Sequence, residues 1–302
     1  MNPYTFLFGL VPLVAFAPML VAAWVRDRYT ERTIRQRGLK HPFTRGLRRP
    51  PGYSLSVQIP ELQMEAVSRM FFAVVIGTTI TVVAPIALGI FGGPSWVGIL
   101  VGIAGAFGWG CVEAGRFIRL LALIRRKRLG WEGELATGEQ LNQLYAHGYD
   151  IFHDLDGGRF NIDHVAVGPA GVFAIETKAR VKSQGVEKEE YWRADFDGRQ
   201  IDFAGYRTAA PLKQAQRNAE WLSRQLTSAI GEAVAVQPVV ALPGWYVNRS
   251  GKSDIRVVNP IEFGKMIRGS RARPLDSSMI QRIVHQLDAL CRDVAKDKQV
   301  VR

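Results

Sequence analysis

The chain has 302 residues, with 39 Lys or Arg against 27 Asp or Glu, a net charge of +12 and two cysteines. Without a CxxC pair or a His/Cys cluster, those two cysteines exclude a disulfide framework and a zinc site. The basic excess is uneven: residues 1–128 hold 16 Lys or Arg and 5 Asp or Glu, which leaves 23 and 22 for the rest. The C-terminal part is therefore close to neutral.

Three long apolar runs without an internal charge open the chain: Tyr4 to Val25, Met70 to Phe91 and Trp96 to Val112. At 1.5 Å per residue they are predicted as three transmembrane helices, with the third marginal in length and Glu113 at its edge. A cleaved signal peptide ending at Val21-Ala22-Ala23 fits the first run less well, because no basic residues precede it. Gly92-Gly93-Pro94-Ser95 leaves room only for a tight reversal, so the last two runs read as a helical hairpin. Arginines cluster at Arg26 to Arg49 and Arg116 to Arg128, each cluster following a span. The positive-inside rule then puts both clusters and the C-terminal domain in the cytoplasm, with the chain in the cell (inner) membrane and the lipid bilayer as a partner. DNA capture by these arginines is the other reading of the same charges. The basic loop, residues 26–58, lacks sustained periodicity and is predicted as a partly disordered connector. Glu61 to Arg69 is predicted as a short amphipathic helix, and Phe117 to Leu129 as a helix lying against the bilayer.

Beyond Gly130 the elements come quickly. Glu132 to Ala146 is predicted as a helix, Tyr149 to Leu155, Ile162 to Val167 and Gly171 to Thr177 as a three-strand meander, and Asp197-Gly198 as a hairpin turn. Pro211 to Leu226 follows as a helix, Val234 to Leu242 and Ile255 to Val258 as strands, and Ser277 to Val294 as a closing helix. The order implies an α/β fold, a mixed β-sheet flanked by helices.

The meander carries the chemistry. Residues two apart on a strand share a face, so Glu176 and Lys178 point the same way, beside Val172 and Ala174. Asp163 can meet them across the Gly168-Pro169-Ala170-Gly171 turn. Two carboxylates and a lysine converging there suit a Mg²⁺ (or Mn²⁺) site for phosphodiester hydrolysis. His164 faces away from Asp163 and reads as structural, and Trp192, Trp221 and Trp245 read as core or rim packing.

Several motifs add a resemblance. Gly130-Trp131-Glu132-Gly133-Glu134, Ile162-Asp163-His164, Gly171-Val172-Phe173 with Ile175-Glu176-Thr177-Lys178, and Pro211-Leu212-Lys213-Gln214 stand in the order found in the NERD, or nuclease-related, domain. Residues 130–245 resemble that family, which lies within the PD-(D/E)XK nuclease superfamily. The resemblance implies a restriction-endonuclease-like core over residues 129–302, preceded by a membrane anchor over 1–128. It also implies Asp163 and Glu176 as metal ligands and Lys178 as the group that orients or polarises the attacking water. Glu134 and Gln214 become supporting catalytic residues, and DNA or RNA the substrate. The rival is a membrane scaffold or sensor that keeps the nuclease fold for binding and cuts nothing.

Overall fold

The computed structural model describes residues 47–182, 192–268 and 274–292, together with positions 22, 25 and 28. These residues fall into two compact units, Pro60–Arg125 in one, and 47–59 with the described residues from Arg126 onward in the other.

The first unit is built from two helices that also supply residues to the second: α1, Tyr53–Ile90, and α2, Ser95–Asn142. Both are long and apolar enough to cross a membrane. Sequence predicts three such spans; the first, 4–25, lies outside the described residues apart from Ala22 and Val25. Gly92, at φ 73°, makes the predicted reversal between the two helices. Gly98 and Gly102 let the backbones approach: a Cβ at Gly98 would lie 2.5 Å from Pro85 Cα, and one at Gly102 3.2 Å from Thr81 Cα. Such small-residue contacts allow close packing of apolar helices where lipid removes the hydrophobic drive between them. Val74, Val83, Ile103 and Phe107 point outward. Two boundaries are corrected. The separate helix expected at Glu61 to Arg69 is the middle of α1, with Pro60 inside it. The helix expected to lie on the bilayer, Phe117 to Leu129, is continuous through α2 with the one predicted from Glu132. Arg125 to Leu129 are good helix formers, and α2 runs on through Gly130, Gly133 and Gly138 to Asn142.

In the second unit a five-stranded sheet runs β1-β2-β3-β7-β9, comprising β1 Asp150–Asp156, β2 Asn161–Gly168, β3 Gly171–Thr177, β7 Val236–Ala241 and β9 Arg256–Val258. The meander β1 to β3 is antiparallel, whereas β7 and β9 add parallel to β3 and to each other. The expected mixed sheet is therefore present. A two-residue loop joins β2 to β3, and Gly168 is required there because a Cβ would sit 2.4 Å from the Tyr149 ring. On one sheet face Val172 and Ala174 pack under Ala219, Leu222 and Leu226 of α3, Ala210–Ile230, and under Ile283 and Leu287 of α5, Ser277–Leu290. On the other, Phe173 and Ile175 pack with Leu141 and Leu144, and with Phe263 and Ile267 of α4, Phe263–Arg268. Buried on both faces, β3 is the central strand.

A second sheet runs β6-β5-β4-β8, built from Arg193–Phe196, Ile201–Phe203, Tyr206–Thr208 and Tyr246–Arg249 as β4, β5, β6 and β8. The Asp197-Gly198 turn joins β4 to β5 as expected. Sequence does not separate β6 or β8, which are too short to carry a period.

The largest correction concerns the end of the basic loop. Residues 47–59 do not form a loose connector but a strap on the second unit. The Arg49 N–H donates to Cys291 O at 3.0 Å, and Arg48 Nε to Asp288 Oδ1 at 2.7 Å. Pro51 covers Gly138, and Gly52 lies on the Trp131 ring. At the start of α1, the Ser54 N–H and hydroxyl donate to Asp154 Oδ2 and Oδ1 at 2.7 and 2.6 Å. Asn161 Nδ2 donates to Asp154 Oδ1 at 2.8 Å, and Arg49 to the Asp154 carbonyl. Asp154 thus caps a helix that is distant in sequence, holding its own backbone at φ 50° to do so. The strap's order comes from these tertiary contacts rather than a periodic pattern, which is why it reads as disordered in isolation.

Replacing Asp154 by Ala should therefore destabilise the protein by roughly 3 kcal/mol, because a cap and a buried acceptor of three donors are lost together. Asp154→Asn should lose less, since it keeps one oxygen and tolerates the left-handed backbone. Thermal melts of the two variants check this. Equal melting temperatures for Asp154→Ala and the unaltered protein would contradict the capping role.

Candidate active site

Strands β2 and β3 stay paired as far as His164 opposite Ile175, and then part. Beyond that point Asp163 Oδ2 takes the place of a strand carbonyl, accepting the Thr177 N–H at 2.7 Å. On the far side, the Lys178 N–H continues toward β7 by donating to Ala241 O at 2.9 Å. The fork leaves Glu176 and Lys178 facing α3, as the strand period predicts. Lys178 Nζ lies 3.0 Å from Glu176 Oε1 and 3.3 Å from Gln214 Oε1, while Asn218 Nδ2 donates to Glu176 Oε2 at 3.1 Å. Glu134 enters from α2, and the Gly52 N–H of the strap donates to its carboxylate.

Geometry thus brings Glu176, Lys178 and Gln214 into direct contact, ties Asp163 to the backbone between Glu176 and Lys178, and sets Glu134 within electrostatic reach of all three charged groups. Asn218, Arg217 and Gly52 are neighbours that sequence reasoning misses. Asn218 had a signal, since it lies one helical turn beyond Gln214 on the same face. Gly52 had none, because its place depends on the strap.

The electrostatics are lopsided. Glu176 is 2% exposed, and burial raises its carboxyl pKa despite the Lys178 ammonium beside it. Burial, then Glu176 and Glu134, raise Asp163 well above the usual carboxylate range. Burial, then Asp154 and Glu176, push Glu134 up to about 8. Burial alone would favour neutral Lys178, but Glu176, Asp163 and Glu134 together outweigh it and its pKa is raised. Lys178 is therefore held as an ammonium at neutral pH and donates rather than accepts. Three carboxylates face one ammonium, a buried excess of negative charge that costs stability unless protons or a cation offset it. Among the described residues, no group of three or more His, Cys, Asp or Glu side chains is arranged to hold a metal ion.

His164 is buried and turned to the opposite sheet face, as expected of a structural histidine. Its Nδ1 lies 2.8 Å from His153 Nδ1, and His153 Nε2 lies 3.3 Å from Asn142 Oδ1. The Asn142 oxygen can only accept, so His153 carries its proton on Nε2 and accepts from His164 Nδ1–H. Burial lowers both pKa values, and the pair stays neutral. Trp245 lies in the core of the second sheet, Trp192 makes an edge contact with Tyr246, and Trp221 makes one with Phe160.

A raised carboxyl pKa means that the folded protein holds a proton the unfolded chain has lost. Between about 4.5 and 8, Glu134 therefore removes stability as pH rises. Glu134→Gln keeps an oxygen for the Gly52 N–H and cannot ionise. In the absence of divalent ions it should be more stable than the unaltered protein at pH 8, by up to about 3 kcal/mol, with the difference vanishing by pH 4.5. Denaturation at the two pH values measures this, and a variant less stable at pH 8 would contradict it.

Comparison of the chain with curated proteins and with solved structures finds no match. One family model does match: the nuclease-related domain, NERD, over residues 129–243. That stretch holds all five sequence-predicted site residues together with Arg217 and Asn218, whereas the strap, β8, β9, α4 and α5 lie outside it. Over residues 129–243 the chain is similar to the nuclease-related domain family.

Proposed function

We propose that this protein is a membrane-anchored, metal-dependent nuclease that hydrolyses phosphodiester bonds in DNA or RNA, on a restriction-endonuclease-like core. The observation that carries the reading is the fork between β2 and β3, where Asp163, Glu176 and Lys178 meet inside a nuclease-related domain. Asp163 and Glu176 fit a hard divalent cation, Mg²⁺ or Mn²⁺, because they are carboxylates, one partly and one fully buried, with too little positive charge around them. Magnesium typically needs only one or two protein carboxylates beside waters and substrate oxygens. When bound, such an ion supplies Lewis acidity and lowers the pKa of water.

The chain's own residues do the rest. Lys178, kept protonated by its carboxylate neighbours, directs N–H bonds at the negative charge that develops on the attacked phosphate. Gln214 and Asn218 fix the direction of Lys178 and Glu176 from α3. Glu134, with its high proton affinity, is the site's reservoir for a proton near neutral pH. A binding-only scaffold draws on one observation, that no ready three-ligand metal group stands among the described residues. Anchoring rests on α1 and α2. The arginines at Arg26 to Arg49 and Arg116 to Arg128 support the cytoplasmic placement of the domain.

Labelled single- and double-stranded DNA and RNA, incubated with the full-length protein and Mg²⁺, Mn²⁺ or EDTA, test the activity. Cleavage should require the metal. Asp163→Ala and Glu176→Ala should each abolish it, with little further loss in the double variant. Lys178→Ala should slow it on the order of 10²-fold or more while metal still binds. Retained cleavage in both carboxylate variants would refute the assigned site, and no cleavage with any substrate would favour the scaffold.

Topology is tested separately. A reporter fused after Arg302 should read cytoplasmic and one inserted at Gly93 external. The reverse pattern would overturn the orientation.

A further inference from the structure

Beside the fork lies a cavity of about 380 Å³ lined by Phe160 and by Gln214, Arg217, Asn218, Glu220, Trp221 and Arg224 of α3. Its size is at the small end of the range for ligand-holding pockets, about 300–1,000 Å³. Two of its walls belong to the site: Gln214 accepts from Lys178, and Asn218 donates to Glu176. Arg217 is close enough to Glu176 to act on its charge. The cavity thus adjoins the proposed reaction centre through Gln214 and Asn218.

Its chemistry is of two kinds. Phe160, in the turn between β1 and β2, and Trp221 on α3 meet edge to face with ring centroids 5.3 Å apart, and Phe160 keeps 38% of its surface exposed. Arg217 and Arg224 are exposed and form no ion pair among the described residues, unlike Arg193, Arg207, Arg249 and Arg282, each of which has an acidic partner. Glu220 lines the same cavity and accepts from the neutral Gln216 amide at 2.7 Å, so two arginines stand against one carboxylate there. Lys213, Arg217 and Arg224, at positions i, i+4 and i+11, share one helix stripe about 16 Å long. An aromatic pair next to two arginines that outnumber the one carboxylate in the cavity suits a ligand with a flat apolar face and an anionic backbone. A neutral domain can hold such a ligand where it sets three basic side chains along one helix stripe.

We propose that this cavity is the subsite for an unpaired nucleotide flanking the scissile phosphate: Phe160 and Trp221 receive the base, and Arg217 and Arg224 the adjoining phosphates. The substrate class is then single-stranded nucleic acid, or a strand locally opened from its partner. In a duplex the bases are stacked inside and no ring is free to enter. This inference rests on the nuclease-related reading of the neighbouring fork, but concerns binding rather than cleavage.

The test is fluorescence anisotropy of labelled 12-nucleotide DNA and RNA, single-stranded and duplex, with the detergent-solubilised full-length protein in EDTA at two salt concentrations. The unaltered protein should prefer single strands. Arg217→Gln/Arg224→Gln should weaken their binding on the order of tenfold and flatten its salt dependence by about two phosphate contacts. Phe160→Ala should weaken it by about the same factor, with little change in salt dependence. Arg249→Gln/Arg282→Gln removes two ion-paired arginines elsewhere on the domain and should change neither quantity. Melting temperatures identify any variant that has lost its fold. In that case Arg224→Gln alone, fully on the surface, carries the test. Preference for duplex, or equal effects of the two arginine pairs, would overturn the subsite while leaving the nuclease-related site standing. No binding of any oligonucleotide by the unaltered protein would overturn the subsite, whereas the nuclease-related reading falls only with the cleavage assay in Mg²⁺ or Mn²⁺.

Discussion

Three carboxylates gathered around one ammonium, two of them buried and the third partly so, form the constraint on which the second unit is built. Such a cluster survives only where packing over-determines it. Here β3 is buried on both faces, so the chain cannot shift Glu176 away from Lys178 without moving the centre of the sheet. Asp163 does double duty, closing the fork by accepting a backbone N–H while it adds to the negative charge. The arrangement keeps the carboxylates short of positive charge and keeps Lys178 protonated, and both effects have the same electrostatic origin.

The strap extends the same logic beyond the NERD-matched residues. Gly52 presents its N–H to Glu134, and two residues later Asp154 caps the start of α1. Asp154 also contributes to raising the Glu134 pKa. Gly52, just upstream of α1, therefore takes part in the electrostatics of a site whose other members lie on α2 or after it. Arg48, Asp288 and Arg292 fasten the strap to the end of α5, and burial of Asp288 is outweighed by its bonds to Arg292 and Arg48, which hold its pKa down to about 2. The unit that holds the site thus draws on residues both before and after 129–243.

What the sequence made legible follows from which forces are local. Strand alternation put Glu176 and Lys178 on the α3 face beside Val172 and Ala174, and the short β2–β3 turn brought Asp163 opposite them; both depend on neighbours a few residues away. Gln214 and Glu134 were reached through motif resemblance alone. Asn218 was within reach of helical periodicity. The strap was not, because Pro50, Pro51 and Gly52 look like a linker until Gly138 and Trp131 supply the surfaces on which they lie. Strands β6 and β8 carry three and four residues, too few to show a period, and β8 joins β4 only after more than forty intervening residues. The single long helix α2 was divided in the sequence reading because its composition changes from apolar to basic, although nothing in the backbone ends it there.

On the proposed reading, the negative charge at the fork holds a divalent cation. Calorimetric titration of Mg²⁺ and Mn²⁺ into the full-length protein at pH 6 and pH 8 tests it most directly. Saturable binding that tightens at the higher pH, as the carboxylates give up their protons, and that is lost in Glu176→Ala, is the predicted result. Absence of binding at both pH values, or binding that is unchanged in Glu176→Ala, would contradict it.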